Sequence, residues 1–201
     1  MQTSEPDLSE RLSNLPRRSI VAIAGAPGSG KSTLAERLVE EQESAALLPM
    51  DGFHFDDTVL RDRDRLLFKG AQDTFDVGGL RSVLQRLRQE ETEVAVPVFD
   101  RDLEISRGSA RVISRRSRLV VVEGNYLLLD RTPWQSLRPY FDLTVMIEVP
   151  EDERRRRLTE RWRHHALSPA QIAHKLDAVD LPNGRMVYSE SSTPDLVLRQ
   201  G

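Results

Sequence analysis

The string Gly25-Ala26-Pro27-Gly28-Ser29-Gly30-Lys31-Ser32-Thr33 constrains this chain more than any other feature of it. It matches G-x-x-x-x-G-K-[ST] and lies between an apolar run ending at Ala24 and a stretch that places Leu34, Ala35, Leu38 and Val39 at helical spacing. Glycines let successive backbone N–H groups turn inward around an anion, and the start of the following helix adds partial positive charge. Lys31 can reach the β- and γ-phosphates of a nucleotide, and the Ser32 hydroxyl can ligate Mg²⁺. A loop of this kind needs a buried strand before it and a packed helix after it, which points to an α/β sheet.

The rest of the sequence supplies one. From Ser19 onward apolar runs alternate with helical stretches, the pattern of βαβ units and a mainly parallel sheet. Candidate strands are residues 20–24, 46–49, 94–98, 119–123, 143–149 and 196–199. Several are nearly continuous apolar runs, as strands covered on both faces require. Asp76 stands before Val77, Leu80, Val83, Leu84 and Leu87 as a helix N-cap. Thr132-Pro133 and Ser168-Pro169 each place a hydroxyl before a first-turn proline, and Ser168 with Gln171 completes a capping box. The segment 151–165 opens on Glu151, Asp152 and Glu153 and continues into four arginines, an order that suits the helix dipole. Residues 1–17 read as a short leading helix or a loose tail. With 201 residues, no repeats and no linker, a single domain over residues 1–201 is expected, at roughly 150 residues per domain.

Composition removes several classes of function. The chain has no cysteine, so thiol catalysis, Cys-based zinc sites and disulfides are out, and a reducing cytoplasm suits it. A net charge of −3 gives no global attraction to nucleic acid. No apolar run approaches the ~20 residues of a membrane span, and the acidic, polar N-terminus lacks the order of a secretory signal. A soluble cytoplasmic protein, without membrane insertion, is expected. Only three of the 29 basic residues are lysines, Lys31, Lys69 and Lys175, a bias that by itself assigns no function. The oligomeric state is left open, a homodimer included.

A second acidic element narrows the chemistry. The run Leu119-Val-Val-Val-Glu123-Gly124 ends in an acid at a strand's carboxyl end, where open α/β sheets place their ligands. Glu123 is a candidate for the Mg²⁺ shell, or a cap of the Gly124-Asn125 turn. No guanine-reading [NT]-K-x-D string occurs: His174-Lys175-Leu176-Asp177 lacks the first residue and falls in a helical stretch. Motor and AAA-type ATPases use longer domains and an Asp-Glu pair where this chain has Glu123-Gly124, which leaves small-molecule kinases. Phosphoryl transfer to an alcohol needs an in-line oxygen, a carboxylate to take its proton, and cations around the moving group. Asp51, just past a strand's end, fits the base, or else an Asx turn before Gly52.

The phosphate loop together with Pro49-Met50-Asp51-Gly52-Phe53-His54, Gln72-Asp73-Thr74-Phe75-Asp76, Phe99-Asp100, Glu123-Gly124 and the arginine run resembles the uridine kinase and phosphoribulokinase group, which also includes bacterial pantothenate kinase. Over nearly the whole chain it is most similar to bacterial fructose-transport-system kinases. The resemblance implies a P-loop NTPase fold: a doubly wound, mainly parallel sheet of about five strands flanked by helices, with a mobile helical lid over 151–180. It also implies Mg·ATP as donor and a small-molecule alcohol as acceptor.

Residue by residue, the resemblance implies Asp51 as base, Phe53 and His54 as walls of the acceptor pocket, and Asp76 as a grip on acceptor hydroxyls, a role it would share with helix capping. Phe99 and Arg101 fall on the acceptor side, where Arg101 can bind an anionic acceptor or else pair with Asp102. Glu104 stands where uridine kinases carry a base-reading histidine, which turns the expectation from nucleosides toward a sugar or sugar-like acceptor. Asp51, Asp76 and Glu104 would suit a polyol, with Phe53 and Phe99 as apolar walls. Arg154, Arg157 and Arg161, at i, i+3 and i+7, match lid arginines that stabilise a transferring phosphoryl group; a solvated face paired to Glu151 and Glu153 is the other reading. Alternative functions are a nucleoside or pantothenate-type kinase and a non-catalytic, ATP-sensing subunit of a transport system.

Overall fold

The strand that feeds the phosphate loop lies in the middle of a parallel sheet. The structure, a computed structural model, describes residues 2–200; Met1 and Gly201, the ends of the expected domain, lie outside the described residues. In chain order, β1 (Gln2–Thr3) and α1 (Glu5–Ser13) precede β2 (Ser19–Gly25), the phosphate loop and α2 (Lys31–Glu41). β3 (Ala45–Pro49) runs into a 3₁₀ turn (Met50–Phe53), α3 (Asp57–Asp62), a second 3₁₀ turn (Leu66–Phe68) and α4 (Val77–Arg88). The strands β4 (Glu93–Asp100), β5 (Ile105–Ser114) and β6 (Leu119–Gly124) follow, and a 3₁₀ segment (Trp134–Tyr140) leads to β7 (Leu143–Glu148). The chain closes with α5 (Glu151–His164), α6 (Pro169–His174), a π-helical turn (Lys175–Asp180), α7 (Leu181–Glu190) and β8 (Leu196–Arg199).

The sheet order is β1-β8-β7-β2-β6-β3, all neighbours parallel, with β1 contributing only two residues at one edge. The chain leaves β2, skips over β6 to form β3, and later crosses to β7 on the other side, so β2 marks the switch point of the sheet. Along β2, Ile20, Ala22 and Ala24 face one layer, packed with Leu80 and Leu84 of α4 and with Trp134. Val21 and Ile23 face the other, packed with Leu8 and Leu12 of α1 and Leu34 and Leu38 of α2. Cover on both faces is the reason the strand reads as a continuous apolar run. A third, small core joins Leu158 and Trp162 of α5 to Ile172, Leu176 and Leu181, so α5, α6 and the π-helical turn pack on one another.

The structure corrects several sequence expectations. Residues 94–98 are not part of the parallel sheet: β4 pairs antiparallel with β5 in a separate ribbon. Val94 and Val96 are buried while Glu93 and Ala95 are exposed, the alternation of a strand covered on one face. β5 escaped the sequence because its ten residues are mostly exposed and polar. Thr132 caps no helix; the 3₁₀ segment starts two residues later, and the Thr132 hydroxyl accepts from the Gln135 side chain at 3.0 Å. By contrast Ser168 and Gln171 form the expected capping box, and residues 5–13 are the leading helix, with its own box from Ser4 and Asp7. Among the described residues no helix is long and apolar enough to cross a membrane.

Leu84 is fully buried in the layer between α4 and the sheet. Leu84→Ala should therefore cost about 2–5 kcal/mol, seen as a lower urea midpoint at unchanged slope; a cost below about 1 kcal/mol would show that this layer repacks freely.

Candidate active site

The phosphate loop is shaped by its glycines. Gly28 and Gly30 hold φ of +79° and +81°, a region costly for any residue with a Cβ. Gly30 is the N-cap of α2 and brings no side chain to it, so the first N–H groups of that helix remain available to an anion. Ala26 and Ser29 are buried within the loop. Pro27, Lys31 and Ser32 line a cavity at the carboxyl end of the sheet, and Gly28, Gly30 and Thr33 line a second one beside Arg157, with Lys31, Ser32 and Arg161 common to the two sets or bridging them.

Strand register brings the acids to the same place. Ile23 of β2 and Pro49 of β3 both pair with Glu123 of β6, so the three strands end level, with Lys31, Glu123 and Asp51 just beyond. Ser32 Oγ donates to Glu123 Oε2 at 3.1 Å. Burial pushes the Glu123 carboxyl above its ordinary range, against the pull of Lys31. Burial likewise lowers the Lys31 ammonium, opposed by Glu123 and Asp51. A hydroxyl and a carboxylate are hard oxygen donors, so this pair fits Mg²⁺.

Asp51 sits in the 3₁₀ turn after β3, under the end of the ribbon. The ribbon comes this close because Gly52 has no side chain: a Cβ there would collide with the Pro97 carbonyl. Arg101, just past β4, donates from Nη2 to Asp51 Oδ2. Its expected partner Asp102 is thereby replaced, because the antiparallel ribbon carries Arg101 over a strand end fifty residues away in sequence. Burial would raise the Asp51 carboxyl, but Arg101, His54 and Lys31 outweigh it and hold it below the usual carboxylate range. His54 donates from Nδ1 to the Asp51 carbonyl at 2.7 Å. Its ring lies 4.0 Å from Phe75 and 4.7 Å from Phe99, centroid to centroid, and burial lowers its pKa and favours the neutral form.

Asp51, His54, Phe99, Arg101, Glu104 and Arg161 all line the first cavity. Of the acceptor-side and arginine candidates, Phe53, Asp76, Arg154 and Arg157 do not. Phe53 is buried in the main core, and Phe75 takes the wall position expected of it. Asp76 is exposed, lies outside the lining and accepts from Gly79 N at 2.8 Å, so only its capping role is realised. Arg154 is 2% exposed and serves the fold: Nε donates to the Val149 carbonyl at 3.2 Å and the guanidinium lies over Tyr188. The arginine stripe spans about 10 Å of helix, so its first member meets the end of β7 while the later ones reach the phosphate loop. Arg157 pairs with Glu153 at 2.7 Å beside that loop. Arg161 lines both cavities and has no ion-pair partner among the described residues.

The cavity also holds residues the sequence did not single out for it: Lys69, Phe75, Asn125, Trp162, Lys175 and Asp180. Trp162 Nε1 donates to Asp180 Oδ2 at 2.8 Å, and burial raises the Asp180 carboxyl. Lys69 donates to Asp57 Oδ1 and to the Glu104 carbonyl, each at 2.6 Å. A signal for two of them was present. Lys31, Lys69 and Lys175 are the only lysines in the chain, and all three line this one cavity.

A family profile described as an AAA domain matches residues 21–168, a span that includes the phosphate loop, Asp51, Glu123 and Arg161. A solved structure from Silicibacter sp. TM1040, provisionally named a fructose transport system kinase, is 36% identical with a TM-score of 0.88, covering 97% of this chain and 98% of that one. The protein YggC of Escherichia coli, described as uncharacterized, is 35% identical over 193 residues, 92% of this chain and 79% of its own. A Schizosaccharomyces pombe protein provisionally named a uridine kinase is 29% identical over 200 residues, 92% of this chain and 84% of its own. The Glu123-Gly124 pair that argued against a motor ATPase stands inside the matched span, and two of these three relatives carry kinase names.

Because Gly52 permits the ribbon to press on the turn, Gly52→Ala should destabilise the protein by about 1–3 kcal/mol and weaken acceptor-dependent turnover more than nucleotide binding. Melting curves and nucleotide titration check this; an unchanged melting temperature would mean the ribbon moves aside without cost.

Proposed function

The chain belongs to the P-loop family described as an AAA domain and, with its relatives, to the kinase group of uridine kinase and pantothenate kinase; from that premise we propose that it transfers the γ-phosphoryl group of ATP to a hydroxyl of a sugar or sugar-like metabolite. The observation that carries this is one cavity in which a carboxylate, Asp51, faces the phosphate-loop lysine, Lys31, with Arg161 between the loop and the acceptor side.

Asp51 accepts the proton of the attacking hydroxyl as the new oxygen–phosphorus bond forms and the bond from the γ-phosphorus to its bridging oxygen breaks. Lys31 and Arg161 offset the charge on the moving group, which in a site shielded from water counts for more than it would in solvent. Ser32 and Glu123 would hold Mg²⁺, which when bound neutralises phosphate charge. His54, fixed through Nδ1 between Phe75 and Phe99, forms an apolar-sided wall for the C–H face of the acceptor. Residues 151–180 act as a lid on a single-domain protein: they carry Arg161, Trp162, Lys175 and Asp180 to the cavity on their own small core. The name of the Silicibacter relative and the presence of Glu104 at the cavity both favour a sugar over a nucleoside. A cysteine-free chain suits a reducing cytoplasm.

Asp51→Asn should keep ATP affinity and lower kcat by roughly 10² to 10⁴, the usual contribution of a positioned base; a fall of less than about fivefold would leave Asp51 a turn residue. Lys31→Ala should lose ATP affinity by calorimetry while melting as the parent does. Cleavage by trypsin near Arg161 should slow when nucleotide and acceptor are both present, and identical cleavage patterns would rule out a closing lid.

A further inference from the structure

We propose that the cleft at the end of the β4–β5 ribbon remote from the active site is a second anion site, which takes a phosphorylated small molecule. Arg17, Thr92, Glu93, Ser114, Arg115 and Arg116 line it. The site stands apart from the kinase reading and shares no lining residue with the two cavities at the phosphate loop.

Strand register fixes its place. Glu93 pairs with Ser114 at one end of the ribbon and Asp100 with Ile105 at the other. Arg101 meets Asp51 at the second end, whereas the cleft opens at the first, beside the residues that lead into β2 and β6. The seven residues of β2 separate this end of the sheet from the phosphate loop, roughly 20 Å at about 3.3 Å per residue.

The cations here lack anions. Arg17, Arg115 and Arg116 are exposed, and none of them forms an ion pair among the described residues. Nearby acids are already engaged: Arg86 holds Glu91 at 2.8 Å, and Arg107 holds Asp100 at 3.0 Å. Glu93 is the one carboxylate in the lining, against three guanidinium groups. A fourth lies behind the wall. Arg18 is 8% exposed, and its Nη1 donates to the carbonyls of Ser114 at 2.8 Å and Ser117 at 3.1 Å. Its Nε and Nη2 are buried and have no hydrogen-bond partner among the described residues. Burial lowers the Arg18 pKa, with Arg115 adding to the effect and Glu90 opposing it. A buried guanidinium with no anion in contact is costly, and negative charge in the cleft in front of Ser114 lessens that cost.

The backbone that carries these arginines is fixed. Arg115 N donates to the Thr92 carbonyl at 2.9 Å and Arg116 N to Ser114 Oγ at 3.2 Å, which ties the turn after β5 to the start of β4. Arg18 N donates to the Arg118 carbonyl at 2.6 Å, and its residue holds a left-handed φ of +70°, a conformation costly for a side chain with a Cβ. Guanidinium forks match the oxygens of a phosphate, and three of them against one carboxylate call for more than a single negative charge. A phosphate ester brings that charge; a monocarboxylate does not. Further along the ribbon Arg111 donates to the Leu47 carbonyl and Arg107 is paired, so the patch does not extend into the stripe that a nucleic-acid backbone follows.

Calorimetry on the full-length protein tests this, with the phosphate loop first saturated by a non-hydrolysable Mg·ATP analogue. Ribose 5-phosphate is the probe, and ribose is its uncharged control. Ribose 5-phosphate should bind tenfold or more tightly than ribose. Arg115→Gln combined with Arg116→Gln should weaken it at least tenfold while the variant melts as the parent does and binds the nucleotide analogue unchanged. Arg101→Gln, at the other end of the ribbon, should alter it less than twofold. The site is overturned if the phosphate gives no advantage over ribose, or if Arg101→Gln removes the binding and the double variant keeps it, which would put the anion at the active site. It is overturned as well if a single-stranded oligonucleotide binds the parent tenfold tighter than ribose 5-phosphate and loses that affinity in the double variant, which would make this face a nucleic-acid surface.

Discussion

An anion held mainly by backbone N–H groups needs a backbone that does not move, and this requirement organises the molecule. The loop from Gly25 to Thr33 has two residues in left-handed conformations and a helix start without a capping side chain. Neither feature is stable alone. The loop keeps its shape because β2 is buried on both faces and hydrogen-bonded to β6 and β7, while α2 packs Leu34 and Leu38 against the sheet. The two core layers thus have a common purpose: they clamp the strand from which the loop springs.

The same sheet sets the acids. Parallel register makes β2, β6 and β3 end level, so Glu123 comes within hydrogen-bond reach of Ser32 and Asp51 lies beside Lys31 without either acid being close to the loop in sequence. Their environments then diverge. Burial raises Glu123, whereas Arg101 and its neighbours hold Asp51 down. The ribbon that delivers Arg101 is the largest source of the pull that keeps Asp51 ionised, whereas Glu123 has the Ser32 hydroxyl beside it, a pair of oxygen donors suited to a hard cation.

That ribbon and the helical segment after β7 enclose the site from two sides. The first rests on the turn bearing Asp51 through the bare backbone of Gly52. The second holds Trp162, Lys175 and Asp180 together through its own small core, with a π-helical turn at the point where the lysine and the acid emerge. Such turns recur where a helix bends to present side chains to a ligand.

The sequence by itself determined the phosphate loop, the parallel α/β sheet, the caps at Asp76 and Ser168, and the placing of Asp51 and Glu123 at strand ends, while it left residues 1–17 as a helix or a loose tail. These are local matters: strand periodicity, capping spacing and a nine-residue string act between residues close in the chain. Only the tertiary structure decided which charges meet. Arg101 pairs with Asp51 rather than Asp102, Arg154 is spent on the end of β7, Asp76 stays a cap outside the cavity, and Phe75 stands where Phe53 was expected. The lysines illustrate the division most clearly: their scarcity is visible in the sequence, but their convergence on one cavity depends on strand order, ribbon position and helix packing, none of which is encoded by neighbours along the chain.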